Sequence, residues 1–177
     1  MWGNAMLKKV VVLLTLTLIA FGVMMATTSQ SVFSVEDSII IEVPPEQTWD
    51  LLAAISAWPQ WWPGVEAARV VPRLQAGARF ELILRGDPDT PPATIESLVK
   101  HKQLSWIRDG VLGSSTRTAL RLSAHQRGTK VTLNSVIRRP QAFLARLTGR
   151  ENFESYHRQV LESMRGRLAK VDADGAR

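Results

Sequence analysis

The sequence predicts an α+β domain: one curved antiparallel sheet of seven strands whose apolar face is covered mainly by a long C-terminal helix. Two observations carry that expectation. Between about residues 37 and 138, apolar and polar residues alternate in short runs separated by turn residues, the period of half-buried antiparallel strands. After Pro140 the period becomes helical, with Phe143, Leu144 and Leu147, then Phe153, His157, Val160, Leu161, Met164 and Leu168 at steps of three and four. A composition of 45% hydrophobic and 21% charged residues suits a folded chain.

The elements follow in order. Asp37 to Val43 is the first strand, with Ile39, Ile41 and Val43 on one face, and Pro44-Pro45 stops it. Glu46 to Ile55 has helical spacing around Trp49, Leu52 and Ala53; Ser56 to Pro63 is short, aromatic and broken by Pro. Strands are expected at Glu66 to Leu74, Ala78 to Arg85, Ala93 to Lys100, Gln103 to Arg108, Ser115 to Ser123 and Lys130 to Arg138. A broken helical piece after Pro140 ends at Gly149, and the long helix starts at Glu151, with Glu154, Arg158 and Glu162 paired four apart on its outer face. One helix cannot fill the concave side of seven strands. The remaining space is either plugged by large side chains or kept as a cavity.

The N-terminus reads as a separate unit. Val10 to Ala26 carries no charge and follows Lys8 and Lys9, so it is expected to be a membrane anchor, or else a cleaved secretory signal with an exit near Met24-Met25-Ala26. The lysines would hold the N-terminus in the cytoplasm and place the domain on the non-cytoplasmic side, periplasmic or extracellular, through a tether at Thr27 to Ser34. The resulting division is 1–34 anchor or signal with tether, 35–172 domain, and 173–177 tail.

Ile39-Ile40-Ile41-Glu42-Val43-Pro44-Pro45-Glu46-Gln47-Thr48-Trp49, followed by Trp58-Pro59-Gln60-Trp61-Trp62-Pro63-Gly64-Val65, resembles the START-like, or SRPBCC, superfamily in its polyketide cyclase/dehydrase-type branch. Gly77-Ala78-Arg79-Phe80 and Gly128-Thr129-Lys130-Val131-Thr132-Leu133 resemble the branch's third and last strands. The likeness covers about residues 35 to 170. It implies the helix-grip fold and a cavity between sheet and terminal helix, in a family of lipid and sterol carriers, hormone receptors, cyclases and co-chaperones.

Several chemistries are excluded at once. With no Cys there is no thiolate nucleophile, disulfide or Cys-containing metal site, and three His residues do not make a metal cluster. No G-x-S-x-G elbow and no Gly-rich phosphate loop is present. The formal charge of +6 is scattered along the strands, without the basic stripe that nucleic acid requires.

The expected ligand site is an apolar wall of Phe80, Leu82, Trp106, Leu133 and Val160 with a few polar anchors, Ser135, Tyr156 and His157, and a mouth at Trp61 or Trp62. Adjacent tryptophans do not easily both point inward, so one is expected to face solvent, membrane or ligand. His101 and His125 fall at hairpin tips and read as solvated. His157 lies in the apolar stripe of the long helix, as a packed core residue, a cavity-wall donor or an acid/base group. The leading expectation is a membrane-tethered domain that binds a hydrophobic or amphipathic small molecule, with no cofactor and no metal. A cyclase or dehydratase using His157 with Tyr156 is the enzymatic alternative. An interaction module docking through an exposed tryptophan and Arg138/Arg139 is the third. Oligomeric state leaves no sequence signal here.

Overall fold

The computed structural model describes the backbone of residues 3–28, 32–71, 73–110, 113–138 and 140–175. After α1 (Gly3–Thr28) come β1 (Val32–Ile41), α2 (Pro45–Ala53), a 3-10 segment (Ile55–Gln60), β2 (Val65–Val71) and β3 (Arg79–Leu84). Then follow β4 (Ala93–Val99), β5 (Gln103–Asp109), β6 (Ser115–His125), β7 (Gly128–Arg138), α3 (Pro140–Thr148) and α4 (Arg150–Gly175). The strands form one antiparallel sheet in the order β1-β7-β6-β5-β4-β3-β2. This is the predicted α+β, helix-grip arrangement.

Local chemistry explains the joints. Pro44 caps α2 in an extended conformation and Pro45 occupies its first turn, where a missing N–H costs nothing. Trp49 and Leu52 then bury on the sheet side of α2, and the Trp58 indole N–H donates to the Leu52 carbonyl at 2.9 Å, locking the 3-10 segment beneath it. Gly128 opens β7 at φ +126, where an added Cβ would stand 2.2 Å from the Ile41 carbonyl oxygen. Register irregularities at Val65/Ala67 in β2 and Ile95/Ser97 in β4 curl the sheet.

Alternation sends odd-numbered residues of β1 and β7, and even-numbered residues of β3, β5 and β6, to the concave face. The main core there runs from α2 and the tryptophans to Val160, Leu161, Met164 and Leu168 of α4. A second, smaller cluster at the far end holds Phe33, Val35, Ile137, Ala142 and Ala145, with Phe153 packed against it.

Two expectations are corrected. The first strand begins at Val32 inside the stretch read as tether, because Phe33 and Val35 continue its inward phase and pair opposite Ile137 and Ser135 of β7. Of that stretch, residues 29–31 lie outside the described residues. The second correction concerns the membrane. Among the described residues no helix is long and apolar enough to cross one. That overturns the single-pass localisation and the anchor read from Val10 to Ala26. The uncharged run Val10 to Ala26 covers ~25 Å of α1, short of a hydrocarbon core of ~30 Å. The side chains at the supposed cleavage exit, Met24 to Ala26, lie outside the described ones.

Candidate functional site

His157 sits on α4 one turn after Phe153 and one before Val160 and Leu161, at the seam between the two hydrophobic clusters. It is 2% exposed, and its ring is placed by two strands. Ser135 Oγ of β7 lies 2.8 Å from His157 Nε2, and Asp37 Oδ2 of β1 lies 3.2 Å from Nδ1. Asp37 pairs with Leu133 and Val35 with Ser135, so the acid and the hydroxyl are diagonal neighbours on one face. The carboxylate is near enough for an ion pair but out of line for a hydrogen bond with Nδ1. It favours the tautomer with the proton on Nδ1, which leaves Nε2 to accept from the Ser135 hydroxyl.

Burial dominates the electrostatics of this ring and pushes its pKa below the ordinary 6.5, while the Asp37 charge, the contact with Asp37 and the Glu154 charge pull the other way. A neutral imidazole holding a serine hydroxyl proton is a base in position. Hydroxyl, imidazole and carboxylate stand in the order of a serine triad, but without the Nδ1–H to carboxylate hydrogen bond that orients a triad's base.

The neighbouring stretch of concave face is filled. Trp58 stacks on Trp62 at 4.7 Å between centroids and meets Trp106 at 5.3 Å and Phe80 at 5.9 Å. Trp61 and Trp62 are 4% and 5% exposed, so both adjacent tryptophans point inward, contrary to expectation. The turn after the 3-10 segment makes this possible: both backbone N–H groups bond back to the Trp58 carbonyl, and the Ser163 hydroxyl of α4 donates to the Trp61 carbonyl. Phe80, Leu82, Trp106, Leu133 and Val160 are likewise core residues. His101 is also less solvated than expected, lying edge-on to Trp49 at 6.2 Å, whereas His125 is exposed.

Tyr156 does not join His157. One residue along α4, its ring is 39% exposed, and its hydroxyl accepts from the Trp62 indole at 2.9 Å and donates weakly to the Pro63 carbonyl at 3.4 Å. Opposite it, Arg108 extends inward from β5 in phase with Leu104 and Trp106, with Nε and Nη2 buried and without a hydrogen-bond partner. Half-buried Thr116 and Thr118 of β6 continue this inner face toward Ser135. Among the described residues no cluster of three or more His, Asp or Glu side chains is placed to hold a metal. An open depression of about 460 Å³ lies elsewhere, between Ile40 to Val43, at and just beyond the end of β1, and α4 at Arg165, Gly166 and Ala169.

Sequence reasoning missed Asp37 and Arg108. Both carried the signal of a charge in the inward phase of a strand. Asp37 is in step with Ile39 and Ile41, and Arg108 with Leu104 and Trp106.

Comparison with known proteins agrees with this architecture. The family model described as polyketide cyclase / dehydrase and lipid transport matches residues 32–169. Among solved structures, the Zhui aromatase/cyclase of Streptomyces sp. R1128 superposes with a TM-score of 0.65 at 13% identity, over 79% of this chain and 95% of that one. The di-domain ARO/CYC StfQ of the steffimycin biosynthetic pathway gives 0.64 at 12%, over 80% of this chain and 52% of that one. A protein of unknown function from Staphylococcus aureus gives 0.64 at 8%, over 81% and 98%. At such identities the likeness is one of fold. No curated protein matches the sequence.

Proposed function

The chain belongs to the polyketide cyclase/dehydrase and lipid transport family, and from that premise we propose that it binds a hydrophobic or amphipathic small molecule between sheet and α4. The observation that supports this is the half-buried polar group Thr116, Thr118 and Ser135, with Ser135 against the His157 ring, beside a stretch of interior that is otherwise filled. Small-molecule sites join apolar surface to a few convergent polar groups, and this is the part of the concave face that offers both. Trp106, Leu133 and Val160 form its floor. Trp61, Trp62, Phe80 and Leu82 support that floor and make no open wall.

Titrating the full chain with Nile red, a neutral dye that brightens on leaving water, tests the reading. Saturable binding is expected, weakened about tenfold or more by Ser135→Phe, which fills this polar stretch, with the far-ultraviolet circular dichroism unchanged. Absence of saturable binding to the unaltered chain overturns it.

A second reading, cyclase or dehydratase chemistry at His157, is favoured by the 2.8 Å Ser135–His157 contact with Asp37 behind it. In this version Ser135 replaces Tyr156 as the second polar group. Turnover of a β-hydroxyketone would then fall about a hundredfold or more in His157→Gln, with dye binding retained. A docking module is not favoured, because every described tryptophan is buried.

A further inference from the structure

We infer that Arg108 and Tyr156 form a receptor for an oxyanion, so that the ligand of this site is an amphipathic acid, a carboxylate on an apolar body. The inference deepens the binding reading above and rests on it.

Arg108 is the anomaly that motivates it. A guanidinium stays charged in proteins, and a buried charge is normally paired. Here Nε and Nη2 are buried and have no partner. These two nitrogens bound one edge of the planar group, the edge that takes both oxygens of a carboxylate in parallel hydrogen bonds. An incoming carboxylate would satisfy both donors together.

The surroundings select an anion over a neutral group. The charged or titratable side chains that Arg108 feels are Tyr156 on α4 and Asp87 in the turn after β3. Asp87 makes no ion pair with it within 4 Å. Tyr156 is held neutral, since burial raises its pKa above the ordinary 10.0 despite the opposing Trp62 hydrogen bond and Arg108 charge. With its oxygen already accepting from Trp62, its proton is committed only to the long 3.4 Å contact with Pro63. It is therefore a third donor available to an oxyanion.

The register supplies the direction of the body. Arg108 pairs with Thr116 and Thr116 with Ile137, one step along the sheet from the row Trp106, Thr118, Ser135. Two inter-strand spacings separate β5 from β7, about 10 Å. A ligand whose head meets Arg108 and Tyr156 can thus lay its apolar part across Thr118 toward Ser135 and His157.

The experiment compares decanoate with decanol, equal in chain length and different in charge, by isothermal titration of the full chain at pH 8. The expected result is decanoate binding about tenfold or more tighter than decanol, with that preference lost in Arg108→Gln. Because this variant removes a buried group, the unaltered chain provides a second measurement. Its Arg108 Nε–H resonance should shift saturably with decanoate and stay put with decanol. Equal binding of acid and alcohol, or an Nε–H signal indifferent to decanoate, overturns the anion receptor and leaves the binding reading standing. If neither molecule binds, both fall.

Discussion

The concave face of the sheet has two unlike halves. Toward β2 and β3 it is packed with Trp58, Trp61, Trp62, Phe80 and Trp106, each 5% exposed or less and in ring contact with its neighbours. Toward β6, β7 and β1, among buried apolar residues such as Leu120, Val131, Leu133 and Val35, it also carries half-buried Thr116, Thr118, Ser135 and Asp37, the last two against the buried His157 ring. The same helix covers both. A large indole buries its area at the cost of few side-chain torsions and stacks on its neighbours. A short hydroxylated side chain leaves room. The stretch of sheet that stabilises the fold is therefore distinct from the stretch proposed to receive a ligand, and mutations should separate the two.

The largest effect is expected at Trp58. Trp58→Ala removes the ring that touches all the other members of the aromatic group and leaves the Leu52 carbonyl without its donor. A cost of about 3–5 kcal/mol is expected, read as a lower midpoint in urea or heat. If the cavity is accessible, Nile red should bind at a new site in the aromatic half. A loss below about 1 kcal/mol would mean that the aromatic half is not the structural one, and the comparison would fail.

Ser135→Ala probes the other half and should divide the effects the opposite way. The Nε2 acceptor of a buried ring loses its donor, for about 1–2 kcal/mol. Yet the Nile red affinity should change more, relative to its own scale, than in any conservative substitution among the tryptophans, such as Trp61→Phe. Equal sensitivity of binding at both positions would merge the two halves into one site.

Much of this division was legible in the sequence. The alternation of β5, β6 and β7 placed Trp106, Leu133 and Ser135 inward, and the stripe of α4 placed His157 and Val160 against them. It was also clear that one helix cannot fill the sheet, so that large side chains or a cavity must. The structure plugs one stretch with large side chains, a choice that depends on how the chain turns after the 3-10 segment. Whether Trp61 and Trp62 both enter the core is decided by backbone bonds to Trp58 and by Ser163, far along the chain. Asp37 and Arg108 were hidden by a different cause. Burial of a charge is costly, so a charged residue beside apolar ones reads as a strand end or an exposed edge. The membrane reading came from an uncharged run and its flanking lysines, and among the described residues no helix is long and apolar enough to cross a membrane.

The smallest expected effect is also the most specific to the polar half. His157 has its pKa depressed below 6.5 by burial, partly offset by Asp37. Between that depressed folded-state value and 6.5, the unfolded chain binds more protons at this site than the folded one. The stability it contributes is therefore fully present above pH 6.5 and declines as pH falls through the window below it. His157→Gln should flatten the stability profile in this window, while the aromatic-half variant Trp58→Ala should keep the slope and shift the whole curve down. Asp37→Asn removes the carboxylate that favours the imidazolium, so the ring should titrate at still lower pH and the slope should extend further into acid. The measurement is the urea midpoint at pH steps from 5 to 8, with the His157 ring followed by NMR. A ring that titrates above 6.5, or a slope unchanged in His157→Gln, would show that the polar seam carries its histidine charged and would reverse the assignment of base and donor to His157 and Ser135.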